Sequence, residues 1–120
     1  MARQRNFDKA VIAKQLMPVF ITRGYEGASV SELVAASGLL RGSLYAAYGS
    51  KLGIFVAGLQ QLPTLDALPE QELDFLIVAL LEVAPNNPVV KNFLQDYLVD
   101  IDTEQLAVKI GLQILAKAKR

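Results

Sequence analysis

Apolar residues recur along this chain at intervals of three and four, and no stretch shows the strict alternation of a half-buried strand. A first helix is expected to begin near Asn6 to Asp8, with Ile12, Leu16 and Phe20 as its stripe and Ala13 and Val19 beside it. Arg23 and Gly24 form a stop, a cation in the last turn followed by a residue free to turn left-handed. Pro18 interrupts the pattern. It has no N–H and costs about 3 kcal/mol in a helix interior, so a kink is expected there. Ser29-Val30-Ser31-Glu32 reads as a capping box opening a second helix, Val30 to Ala36, which Gly38 ends. A turn from Ser37 to Leu40 leads into a third helix, Arg41 to Tyr48. Gly49 breaks it, and Ser50 is placed to cap a fourth helix from Lys51 to about Leu62.

Pro63 and Pro69 bracket a short connection. Glu70 to Val83 is apolar on nearly every side in its middle, the pattern of a central, buried helix. Pro85-Asn86-Asn87-Pro88 is a turn. Val89 to Ile101 then carries Val90, Phe93, Leu94, Tyr97, Leu98 and Ile101 in a near-heptad stripe. Asp102-Thr103 caps a last helix, Glu104 to Lys119, with Leu106, Ile110, Ile114 and Leu115 on one broad face. Gly111 inside it costs about 1 kcal/mol against alanine, which a close helix crossing at a dimer interface would explain. The expected fold is all-α with about seven helices. Residues 1–50 form a helix-turn-helix domain and residues 51–120 a small helical dimerisation domain.

Composition narrows the chemistry. The 120 residues are 52% hydrophobic and contain no Cys, His or Trp. A disulfide framework, a thiolate nucleophile and a zinc–thiolate site are thereby excluded. The commonest general base and transition-metal ligand is absent too. No nucleophile–base pair is visible, so neither an enzyme nor a cofactor or metal site is expected. Asp96, Asp100, Asp102 and Glu104 lack the glycine-bearing loop of a calcium site and read as a solvated acidic face. Net charge is zero, but residues 1–51 carry +4 and residues 52–120 carry −4. Such a split suggests one half facing nucleic acid and another that does not. The longest uncharged apolar run, Phe75 to Leu81, is too short for a bilayer. The N-terminus lacks a signal-peptide core. A cytoplasmic location is expected.

Two short helices joined by a glycine-containing turn, behind a longer amphipathic helix, describe a helix-turn-helix. Its second helix must pack on the third, which Val30, Leu33 and Val34 could do against Leu39, Leu44 and Tyr48. The third must leave a face for the major groove, and Arg41, Gly42, Ser43, Tyr45 and Ala46 are the candidates. Small residues let a helix sit deep, arginine forks onto guanine or phosphate, and a tyrosine hydroxyl reaches phosphate.

The runs Phe20–Val30 and Ala35–Gly38, followed by Gly42-Ser43-Leu44-Tyr45-Ala46-Ala47-Tyr48-Gly49-Ser50-Lys51, resemble the TetR family of transcriptional regulators. The resemblance covers roughly residues 7 to 58. It implies that Ser29 caps the second helix near the DNA backbone, and that Tyr45 and Lys51 contact phosphate. Arg41, Gly42 and Ser43 would occupy recognition-helix positions. Tyr48 would take a core position with its hydroxyl at the surface. It further implies a homodimer on palindromic double-stranded DNA, usually as a repressor, and a C-terminal domain that binds a small-molecule effector. Three departures stand out. Leu40 occupies the cap position of the recognition helix, where the family places Ser, Thr or Asn. Pro18 replaces a helix former. Only some seventy residues follow Ser50, where the family has well over a hundred, so the region that would build an effector cavity is short.

Other readings stay open beside these. Phe20 and Tyr25 suit core packing. Tyr45 suits packing as well as phosphate contact. Lys51 opposes its helix dipole, which a phosphate partner would relieve. Arg3 and Arg5 suit either a loose terminus or a minor-groove arm. Phe75, Phe93 and Tyr97 could line a pocket or fill the core. The alternative function is a helical interaction module that has lost effective DNA binding and modulates a related regulator.

Overall fold

A computed structural model describes residues 7–119 and builds them, apart from turns, from helices alone. Arg3 and Arg5 lie outside the described residues. The helices are α1 (Lys9–Gly27), α2 (Val30–Ser37), α3 (Arg41–Tyr48), α4 (Lys51–Leu59), α5 (Glu70–Val78), α6 (Pro88–Tyr97) and α7 (Thr103–Ala118). They fall into two compact units, one ending at Leu62 and the other beginning at Pro63.

In the first unit, Asp8 caps α1 by accepting from the Ala10 N–H. The stripe lands inward: Ile12, Ala13, Leu16, Met17 and Phe20 are buried. Pro18 is carried inside α1, whose one residue with non-helical dihedrals is Gly24 (φ 76, ψ 170). Pro18 lies on the exposed face. At Gly24 the chain leaves the helix, and the positive φ would strain any residue with a Cβ. Helix α1 packs on α4 and α2, and α3 packs on α2 and α4. Leu33, Leu44, Ile54, Phe55 and Leu59 complete the core. Phe20, Tyr25 and Phe55 form an aromatic cluster, with centroids 5.8, 5.1 and 5.2 Å apart. These separations suit stacked and edge-to-face rings. Beyond Leu59, bonds from Gln61 to Gly58 and from Leu62 to Leu59 tighten the chain into a turn, so α4 ends three residues before the expected Leu62.

In the second unit, α5 is buried through Leu73–Leu76, Val78 and Ala79, as its all-round apolar pattern predicts. It widens into a π-type turn at Ala79–Val83 and tightens at Ala84–Asn86. Asn87 caps α6 through its side chain and Pro88 takes the first helical position, where its missing N–H costs nothing. Helix α6 stops at Tyr97 rather than Ile101. Asp96 lies in its last turn and Asp100 just beyond, negative charges at the negative end of the dipole. Tyr97 donates its hydroxyl proton to the Pro63 carbonyl.

The apolar face of α7 is only partly covered within its unit. Leu106 and Ile110 are half-buried, but Ile114 and Leu115 are exposed. The groups that hold α7 are polar. Lys109 donates to the Leu65 carbonyl, Gln113 donates to the Glu70 carbonyl and the Asp74 carboxylate, and Lys117 pairs with Asp74 at 2.8 Å. Asp74 is largely buried on α5, so its charge needs these partners. Gly111 meets no neighbouring atom within 4 Å of where a Cβ would stand. Among the described residues of this chain, no helix crosses closely at Gly111.

Candidate nucleic-acid interface

The α1–α2 connection sets the site up. Ser29 Oγ accepts from the Glu32 N–H at 3.1 Å, and the Glu32 carboxylate accepts from the Ser29 N–H and hydroxyl at 3.1 Å each. The Ser29 backbone N–H is the main cause that holds the Glu32 carboxyl below its usual range, with the Ser29 hydroxyl and Arg23 adding to it. Arg23 pairs with Glu32 at 2.7 Å. Gln15 of α1 donates to the Ala36 carbonyl of α2 at 2.8 Å. Ser37 then makes the turn, its hydroxyl donating to the Val34 carbonyl and accepting from the Leu39 N–H. The turn brings α3 across α2 with Leu33 and Leu44 buried; Val30, Val34, Leu39 and Tyr48 are half-buried.

Helix α3 buries only Leu44. Arg41, Gly42 and Ala46 are exposed, Ser43 and Tyr45 half-buried. Ser29 is exposed as well. Leu40 is the N-cap of α3 and makes no side-chain capping bond, as its apolar side chain dictates. No Asp or Glu occurs between Glu32 and Asp66, while Arg41 and Lys51 both fall in that interval. This acid-free interval could have been found in the sequence, and it contains the whole of α3.

Besides Ser29, two further candidate residues make side-chain bonds inside the unit. Tyr48 donates its hydroxyl proton to the Lys9 carbonyl at 2.6 Å, with the Lys9 ammonium 5.7 Å from its ring centroid. Burial pushes its hydroxyl pKa up, which keeps it a donor. Lys51 donates to the Tyr25 and Ala28 carbonyls at 2.9 and 3.2 Å and sits 4.6 Å from the Tyr25 ring centroid. Carbonyls beyond a helix end lack intrahelical partners, and Lys51 supplies them from the first turn of α4. Sequence reasoning missed Lys9, Gln15 and Arg23 as parts of this framework, because each works through a partner distant in sequence or through a specific side-chain geometry.

Residues 12–57 match the model for bacterial regulatory proteins of the tetR family. This segment is similar to the DNA-binding part of tetR-family regulators. The matched segment contains α2, α3 and nearly all of α4, together with α1 from Ile12 onward. The uncharacterized HTH-type transcriptional regulator YezE of Bacillus subtilis (strain 168) is 37% identical over 60 residues, 50% of this chain and 31% of that protein. The match thus spans under a third of the relative's length. No solved structure matches the chain. Among the described residues, no helix is long and apolar enough to cross a membrane.

Proposed function

We propose that this chain is a transcriptional regulator that binds a palindromic DNA operator as a homodimer and represses from it. The observation that carries the reading is the bare face of α3, where Arg41, Gly42 and Ala46 stand exposed on a TetR-type scaffold. Arg41 and Ser43 take base edges or backbone, and Gly42 lets the helix approach closely. Tyr45 and Ser29 take phosphate oxygens. Lys51 has a third N–H beyond its two carbonyl bonds, and this one serves a phosphate. Tyr48 contributes by fixing the end of α3 against α1.

Homodimerisation is assigned to α7. Its polar side is tied to its own unit, while Val108, Leu112 and Leu115 stand 60%, 62% and 58% exposed along one stripe. A second copy of the helix would cover them. An effector has one candidate place in the second unit, an open groove of about 650 Å³ at Tyr97, Asp66, Asp96 and Gln105.

The test is fluorescence anisotropy with labelled DNA from the gene's own upstream region, random competitor and two salt concentrations. Binding that survives competitor, weakens with salt and falls on Tyr45→Ala is expected. Affinity equal to that for random DNA contradicts an operator in that fragment. No binding to any DNA contradicts the regulator reading.

A further inference from the structure

We infer that Leu40 is a specificity-determining residue whose side chain contacts the 5-methyl group of a thymine in the major groove. The inference rests on the DNA-binding reading of α3 and adds the base chemistry read at its first position. Leu40 is 79% exposed, more than any other large apolar side chain among the described residues. Nothing in the fold gains from it. Leu39 and Leu44, on either side, do the packing. At the N-cap it leaves the first turn of α3 without the acceptor that Ser, Thr or Asn would supply. A residue that costs both exposure and capping is explained by what it meets in the complex. Its neighbours are the exposed Arg41 and Gly42, at the N-terminal end of the helix, the part of a recognition helix that meets base edges. Phosphates offer a leucine nothing. Among the four bases, thymine alone presents an apolar methyl in the major groove.

The full-length chain selects its site from a random duplex library, and anisotropy then compares that site with versions carrying deoxyuridine at each thymine. Wild type is expected to lose about fourfold in affinity at one thymine per half-site, the worth of one buried methyl. 5-Bromodeoxyuridine, whose halogen has a methyl's size, should restore it. Leu40→Ala and Leu40→Asn should bind thymine and uracil versions alike. The asparagine variant should also raise the thermal midpoint by restoring the cap, so its lost discrimination is not loss of fold. Because 5-methylcytosine carries the same methyl, cytosines are replaced by it in a further arm, with no gain expected. Several outcomes overturn the Leu40 assignment and leave the DNA reading intact: no uracil effect on wild type, an unchanged thymine-to-uracil ratio in Leu40→Ala, or a gain only with 5-methylcytosine. A wild-type chain that selects no sequence overturns both.

Discussion

Lys51 places a positive charge on the first turn of α4, against the helix dipole, and the Tyr25 and Ala28 carbonyls with the Tyr25 ring offset that misfit. Replacing Lys51 by Met removes both bonds from half-buried carbonyls. It is expected to lower stability by about 1–2 kcal/mol and to flatten the salt dependence of DNA binding by about one unit of log–log slope. Denaturant titration and salt-dependent anisotropy read the two effects separately. The partners of Lys51 lie 26 and 23 residues away, so only the fold could reveal them. The Ser29–Glu32 box was legible because all its groups fall within four residues. Glu32 has a folded pKa held below the usual 4.5, so its contribution is complete above that value and is lost as pH falls through the folded value. Glu32→Gln should therefore flatten the acid limb of a thermal-midpoint profile. A Cβ added at Gly42 would meet no neighbouring atom within 4 Å. Gly42→Ala should leave the thermal midpoint equal or higher while weakening DNA binding, the dissociation expected of a residue kept small for a partner.

At the scale of elements, helix positions were legible because caps and stripes are local. Ser50 accepts from Gly53 and Asp102 accepts from Gln105 to open α4 and α7, as read from the sequence. Other features needed the fold. Pro18 is carried inside α1 on its exposed side, and which side of a helix faces water is a tertiary fact. Hydrophobic periodicity marks the apolar face of α7 but not the polar groups that tie the helix to its own unit. Here Asp74 on α5 draws Gln113 and Lys117. The close approach of Gly53 at the α3–α4 corner was unreadable. At Gly53 a Cβ would stand 1.9 Å from the Tyr48 carbonyl oxygen, a backbone atom that a side-chain shift cannot relieve. Gly53→Ala should cost about 1–3 kcal/mol by chemical denaturation and reduce DNA affinity by displacing α3. An unchanged midpoint would mean that this approach is not close in solution.

For the whole molecule, the zero net charge hides a basic first half and an acidic second half. The positive potential that attracts a polyanion is thus confined to the segment that carries α3. The exposed stripe of α7 supplies the matching claim about assembly. Light scattering at micromolar concentration should give the mass of two chains, and Leu112→Glu should give that of one without loss of helicity by circular dichroism. A single-chain mass for the unaltered protein would contradict the homodimer. The most direct test of the central claim is the amide NMR spectrum of the full chain titrated with its selected duplex. Shifts concentrated at Ser29, Leu40, Arg41, Gly42, Ser43 and Tyr45 are predicted, with those of α6 small. An unchanged spectrum at stoichiometric DNA, or shifts that spare α3, would contradict the assignment of this helix as the reading head.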